Sequence, residues 1–181
     1  ITPVQLAAHA ERVRHAAALV VDCNVTENAL AWLFANRGAT PVLVDAVSAF
    51  KCPRIRPWLG QVHTLKVNRQ EAQALCGFTV QTDADIERAA QCVHTLGVQQ
   101  LVLSLGARGL YWSERDGGHG WHGVVPGDVV NVTGAGDALM AGLVHGVVQH
   151  QTLAESIPFA LGCAALTVAP EQANPPSLCI A

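Results

Sequence analysis

Residues 18–45 read ALVVDCNVTENALAWLFANRGATPVLVD, and this stretch decides the expected fold. It contains two short apolar runs, Ala18–Asp22 and Pro41–Asp45, each of which ends in an acid. Between them, Glu27–Asn36 suits a helix, and Gly38 stands where helices commonly end. Continuous apolar runs are typical of parallel strands buried on both faces. The stretch therefore predicts a strand, a helix and a second, parallel strand.

Strands and helices continue to alternate along the rest of the chain. The other predicted elements are a helix from Thr2 to His15, strands His63–Val67 and Gln100–Ser104, helices Arg69–Cys76 and 82–96, a hairpin of Leu110–Trp112 and Trp121–Val125, and two apolar helices, Ala135–Gln149 and Leu153–Ala169. This alternation predicts an α/β fold whose mostly parallel sheet is covered on both faces. Ligands of such sheets bind beyond the carboxyl ends of the strands, so candidate functional residues are expected there.

The composition excludes several classes of protein. Hydrophobic residues make up 50% of the 181 residues and charged residues 14%, which is too apolar for a disordered chain. The formal net charge of −3 offers no basic surface to nucleic acid or to an anionic membrane. The length predicts one domain over residues 1–181, or one domain with part of another.

The sequence also predicts a location. The best candidate for a membrane span, Leu153–Ala169, contains Glu155 and Pro158 and favours a buried helix instead. The first residues carry charges and histidines before a short apolar run, unlike a secretory signal. The six cysteines form no Cys-x-x-Cys pair, which is typical of free thiols in a reducing compartment. We therefore expect a cytoplasmic protein without a membrane partner.

Asn131–Asp137, NVTGAGD, carries the clearest chemical pattern. Gly134, Ala135 and Gly136 precede an acid, Asp137, at the start of a predicted apolar helix. Backbone N–H groups at a helix start bind anions, and a carboxylate beside them can accept a proton from an attacking hydroxyl. Together they are the minimum equipment for phosphoryl transfer to an alcohol. The alternative is a glycine-rich helix start with Asp137 as a surface acid.

The longer string NVTGAGDALMAGLV, residues 131–144, closely resembles the C-terminal signature of the PfkB (ribokinase-like) carbohydrate kinase family. Lys66–Glu71 resembles the family's Asn-x-x-Glu motif, and Leu103–Gly109 resembles the strand and turn beside the nucleotide phosphates. Val44–Cys52 and His63–Asn68 are similar to the pseudouridine kinase branch. These motifs occur in the family's order and extend over nearly the whole chain.

The resemblance implies a ribokinase-like fold of three layers, α/β/α, with a mostly parallel sheet. The family's N-terminal part supplies the first strands, a hinge, a small β-lid and most sugar contacts, and no counterpart precedes Ile1. We therefore expect a C-terminal portion of a longer protein, with the nucleotide-binding and catalytic parts. The lid is also a common dimer surface in the family, which makes a homodimer one expected assembly.

The resemblance implies roles in catalysis and in binding cations. Asp137 is expected to be the catalytic base, and the N–H groups of 134–136 to form the anion hole. Asn68 and Glu71 are expected to organise Mg²⁺, largely through waters. Many members of the family hold K⁺ beside the anion hole, and Asn131, where an acid often stands, is the candidate here for a monovalent cation.

The resemblance also implies a set of contacts with ATP. The residues expected along the phosphates, the ribose and the adenine are Ser104, Gly106, Gly109, Thr133, Ala164 and Asn174. The implied reaction moves the γ-phosphoryl group of Mg-ATP onto a primary hydroxyl of a sugar or nucleoside, with pseudouridine as the first choice. The alternatives are a kinase for ribose or another nucleoside or sugar, and a non-catalytic regulatory module that binds a nucleotide or sugar.

Three polar residues after the first two strands have two readings each. Lys51 is one of only two lysines. It either contacts a phosphate or the substrate, or it is a solvated cation in a loop. Asp22 and Asn24 either line the crevice or cap the next helix, and the cap is favoured.

Overall fold

The computed structural model describes residues 1–124 and 133–168. The described strands are β1 (Leu19–Asp22), β2 (Val42–Asp45), β3 (Thr64–Asn68), β4 (Gln100–Ser104), β5 (Leu110–Glu114) and β6 (His119–His122). The described α-helices are α1 (Pro3–Ala7), α2 (Ala10–His15), α3 (Glu27–Asn36), α4 (Arg69–Cys76), α5 (Asp83–Thr95), α6 (Ala135–Val148) and α7 (Leu153–Val168). Two 3₁₀ helices, Cys52–Gln61 and Gly106–Arg108, connect strands and helices.

The described strands form one sheet in sequence order, β1-β2-β3-β4-β5-β6. Strands β1 to β4 are parallel to one another, whereas β5 pairs antiparallel with both β4 and β6. The predicted hairpin is present, but its second strand begins at His119, two residues earlier than expected. Because β1 to β4 are parallel, their carboxyl ends meet at one edge of the sheet. Candidate residues that follow these strands are brought to that edge.

Alternate residues of each central strand face two different apolar layers. In β2, Val42 and Val44 belong to one core cluster, while Leu43 belongs to the other. The first cluster packs under α3, α4, α5 and the longer 3₁₀ helix, and the second packs under α6 and α7. The structure is thus the predicted three-layer α/β/α arrangement.

Helices α6 and α7 pack unusually closely. A methyl group on Gly142 would overlap the Cα atom of Ala160, and one on Gly146 would overlap the hydroxyl of Ser156. Glycine at these two positions lets the helix backbones approach, and this packing holds α6 against α7.

The sequence predicted the strands and central helices well, with three corrections. The expected helix from Thr2 to His15 is two short helices, α1 and α2, separated around Ala8 and His9. The 3₁₀ helix Cys52–Gln61 was not expected, since prolines such as Pro53 and Pro57 disfavour a helix interior. The expectation that Asp22 or Asn24 caps α3 is wrong, because the side chain of Thr26 does so.

Among the described residues, no helix combines the length and apolarity that crossing a bilayer requires.

Candidate active site

Helix α6 begins on a glycine in a left-handed conformation. Gly134 is the N-cap residue, with φ of +85°, a value that favours glycine. The first backbone bond of the helix runs from the N–H of Ala138 to the carbonyl of Gly134 at 2.9 Å. The N–H groups of residues 135–137 therefore have no acceptor within the helix. Two of these N–H groups, those of Ala135 and Gly136, belong to the predicted anion hole.

This start differs from those of α1, α3, α4 and α5. Each of those helices is capped by a side-chain oxygen, which comes from Thr2, Thr26, Asn68 or Thr82. Gly134 has no side chain with which to cap α6. Asp137 lies in the first turn and is exposed. The N–H groups at the start of α6 therefore receive no side-chain cap from the N-cap residue, and Asp137 puts a carboxylate in the same turn.

Gly136 is a glycine for a different reason. Its φ is not positive, so its backbone conformation does not require glycine. A methyl group on Gly136 would instead lie 3.1 Å from Nζ of Lys66. The ammonium of Lys66 therefore packs directly against the first turn of α6.

Lys66 is buried in the middle of β3 and forms an ion pair with Asp45. Nζ donates to Oδ2 of Asp45 at 2.5 Å, and each side chain is only 9% exposed. The two residues are directly opposite each other in the parallel β2–β3 register. Leu65 and Val67 face the α3–α5 layer, so Lys66 faces α6. The sequence patterns did not predict this pair.

The carboxyl ends of β3 and β4 border a cleft of about 430 Å³. The residues that line it are Asn68, Arg69, Gln70, Ser104, Leu105, Gly106 and Arg108. Asn68 of the Asn-x-x-Glu segment and Ser104 of the Ser-Leu-Gly turn are 36 residues apart in sequence, yet they lie directly opposite each other in the β3–β4 register. The structure brings together these parts of the predicted nucleotide site.

The turn after β4 is held by backbone bonds. Leu105 N–H donates to the carbonyl of Gly109 at 2.8 Å, and Gly109 N–H donates to that of Gly106 at 2.9 Å. Both glycines have positive φ, +61° at Gly106 and +85° at Gly109. The Ser104 hydroxyl donates to the carbonyl of Val67 at 3.3 Å. The turn is thus a fixed wall of the cleft.

Asn68 and Glu71 form a reciprocal cap at the start of α4. Oδ1 of Asn68 accepts from the N–H of Glu71 at 3.0 Å, and Oε2 of Glu71 accepts from the N–H of Asn68 at 2.8 Å. Asn68 is exposed in the cleft, whereas Glu71 is only 4% exposed, and burial raises the pKa of its carboxyl. The motif therefore has a structural role in addition to any role with a cation.

The other predicted residues have mixed outcomes. Asn131 and Asn174 lie outside the described residues. Ala164 packs against the cluster under α6 and α7.

Lys51 donates to Oδ1 of Asn24 at 2.6 Å, and Asn24 donates to Asp22, so one polar network joins the loops after β1 and β2. Among the described residues, no group of three histidine, cysteine or acidic side chains could hold a metal ion.

Two signals in the sequence could have revealed the residues that were missed. Lys66 is a charged residue flanked by apolar residues within a predicted buried strand, and Asp45 ends the preceding strand. An opposite charge on the neighbouring strand is what a buried lysine requires. Arg69 lies inside the Asn-x-x-Glu motif and lines the cleft. Its Nε is buried without a hydrogen-bond partner in the described part of the chain.

A comparison with protein-family models finds the pfkB family of carbohydrate kinases over residues 2–178. The chain belongs to this family. This result agrees with the resemblance of the signature at residues 131–144.

Individual relatives support the assignment. The chain is 45% identical over 181 residues to pseudouridine kinase of Escherichia coli (strain K12), which is 100% of this chain and 58% of that protein. It is 33% identical over 113 residues to 1-phosphofructokinase of the same strain, 62% of this chain and 34% of that one. The chain thus spans little more than half of the first of these relatives and about a third of the second.

A solved structure confirms the ribokinase-like fold. Ribokinase of Arabidopsis thaliana, complexed with ribose and ATP, superposes with a TM-score of 0.82 at 25% identity. The match covers 89% of this chain and 52% of that one. The mostly parallel sheet and the three layers are therefore those of the ribokinase type.

Proposed function

We propose that the protein containing this chain transfers the γ-phosphoryl group of Mg-ATP to a primary hydroxyl of a sugar or nucleoside. One observation carries this proposal: α6 starts on Gly134 without a side-chain cap and exposes Asp137 in its first turn. A module that only binds a nucleotide has no use for a base beside the anion site.

In the proposed reaction, the acceptor hydroxyl transfers its proton to the carboxylate of Asp137. The hydroxyl oxygen then bonds to the γ-phosphorus as the bond to the β-phosphate oxygen breaks, and ADP leaves. The N–H groups of residues 135–137 stabilise the negative charge on the transferring group, because fixed donors need no reorganisation during the reaction. This role matches the orientation of the N–H groups at the start of α6.

We propose that the cleft at the carboxyl ends of β3 and β4 binds the phosphates of ATP. Ser104, Gly106 and Gly109 form the turn along it, and Arg69 supplies positive charge at its lining. Arg108 also lines the cleft, where its guanidinium donates to Asp83 at 2.7 Å. A guanidinium group offers a planar set of donors that suits phosphate oxygens. Ala164 and Asn174 are the proposed adenine contacts, and Thr133 is a further proposed contact with the nucleotide.

The Asn68 and Glu71 side chains fit Mg²⁺ as oxygen donors. This ion keeps several waters and takes few protein ligands, so two donors are sufficient. When bound, it neutralises charge on the β- and γ-phosphate oxygens. Asn131 supplies the proposed site for a monovalent cation.

Replacing Asn68 by Ala is expected to have two separable effects. Loss of the cap lowers the free energy of unfolding by about 1 kcal/mol. Loss of the amide oxygen weakens the apparent affinity for Mg²⁺ about tenfold. Denaturant unfolding and Mg²⁺ titration of turnover measure the two effects. Asn68→Ser is the matched control, because serine retains the cap but does not reach the cation. Normal Mg²⁺ dependence of the serine variant would limit Asn68 to capping.

Pseudouridine is the acceptor that we propose first. The support is the 45% identity, over the whole of this chain, to a protein named pseudouridine kinase. The test is ADP release from Mg-ATP with pseudouridine, ribose or uridine, on full-length protein of verified mass. Turnover that requires pseudouridine is the expected result. Turnover with another acceptor overturns the choice of pseudouridine, and ATP binding without turnover on any acceptor favours a regulatory module.

A further inference from the structure

We propose that Lys66 is a positioning residue for phosphoryl transfer, acting through the first turn of α6. Its ammonium is held by Asp45 behind Gly136 and adds positive charge to the anion site. This inference rests on the proposed function and adds a residue outside the signature that bears the base. It concerns a group that the proposed reaction otherwise leaves without a role.

The burial of Lys66 calls for an explanation other than stability. Lysine is rarely buried, and a buried ion pair is often no more stabilising than apolar residues of similar volume. Lys66 has Leu65 and Val67 as neighbours in β3, and the next strand presents Val102 opposite it. An apolar residue would continue the pattern of the sheet. The chain instead has a charge there, with a carboxylate that compensates it.

The position of the charge indicates its use. Nζ is 3.1 Å from the point where a methyl group on Gly136 would lie, and Cε is 3.6 Å from it. Asp45 has no atom within 4 Å of the same point. The ion pair therefore presents its positive end to the first turn of α6 and its negative end away from it.

This placement reinforces two other features of the site. The helix dipole contributes about half a positive charge at the start of α6, and the Lys66–Asp45 pair adds a second dipole whose positive end lies behind that start. A charge fixed in a buried environment acts on nearby groups more strongly than one in water. Glycine at position 136 then has a specific reason, since any side chain would displace the ammonium.

The test compares three variants of the full-length protein with wild type. Lys66→Met removes the ammonium. The double variant, Asp45→Asn with Lys66→Met, removes both charges. In wild type, Oδ1 of Asp45 accepts from the N–H of Val47 at 3.2 Å, and the Asn side chain keeps an oxygen for this bond. The double variant has no unpaired buried charge, so it keeps the test valid if the single variant fails to fold. Gly136→Ala displaces the ammonium without removing any charge.

Two readouts separate positioning from structure. We expect kcat to fall on the order of 100-fold in both lysine variants, with a much smaller change in KM for ATP. We expect a similar loss of affinity for Mg-ADP with aluminium fluoride, a mimic of the transferring phosphoryl group, but not for Mg-ADP alone. Gly136→Ala is expected to lower kcat by a clearly smaller factor in the double variant than in wild type.

A double variant that folds and retains wild-type kcat and affinity for the mimic would overturn the proposal. An equal loss of kcat on Gly136→Ala in wild type and in the double variant would overturn the proposal as well. If wild type turns over no acceptor, the proposed function fails, while affinity for the aluminium fluoride complex still decides the role of Lys66. The two failures are therefore distinguishable.

Discussion

Replacing Asp137 by Asn in the full-length protein is expected to lower kcat on the order of 100-fold or more. The amide cannot accept the proton of the acceptor hydroxyl, and general bases contribute about 10²- to 10⁴-fold. KM for ATP is expected to change little, because the base acts on the acceptor. Steady-state ADP release with saturating acceptor measures the effect.

The stability of this variant is expected to be nearly unchanged. An acid in the first turn of a helix contributes only about 0.3–1 kcal/mol, and Asp137 is exposed. Asp116→Asn is the matched control, since Asp116 is an exposed acid at the tip of the β5–β6 hairpin. An Asp137→Asn variant with nearly normal turnover would leave Asp137 as a surface acid and refute the assigned mechanism.

The order of elements was predictable because local signals agreed with one another. Glu27–Asn36 and Arg69–Cys76 have the bounds that their sequence predicted, with a glycine just beyond each end. Buried parallel strands are recognisable because both faces are apolar. The break between α1 and α2 was not predictable in this way, since residues 3–15 contain no internal proline or glycine to mark it.

The site was predictable where chemistry and backbone conformation share one segment. Gly134 requires glycine for its own φ, and such a requirement is visible in a motif. Packing favours glycine at position 136, since a methyl group there would lie 3.1 Å from Nζ of Lys66, on a strand 70 residues earlier. That preference arises from tertiary packing, so the motif alone cannot separate the two glycines. The Asp45–Lys66 pair likewise depends on the β2–β3 register, which is set when the sheet forms.

Replacing Gly109 by Ala is expected to destabilise the protein by about 4 kcal/mol, the sum of backbone strain and overpacking. Gly109 has φ of +85° and ψ of −128°, a combination that residues with a side chain rarely adopt. A methyl group there would also overlap the carbonyl oxygen of His122 in β6. The carbonyl belongs to the backbone of the hairpin, so it cannot move aside without disturbing the sheet.

Gly106→Ala provides the matched control. Gly106 also has a positive φ, +61°, but a methyl group there would meet no atom within 4 Å. Gly106→Ala is expected to lower the free energy of unfolding by only about 1–2 kcal/mol, because alanine must adopt a left-handed backbone conformation there. Denaturant unfolding measures both variants, and the difference isolates the overlap with β6. Equal destabilisation would mean that the hairpin yields to the methyl group. Because the same turn forms the wall of the cleft, a hairpin that yields would also raise KM for ATP in the Gly109→Ala variant.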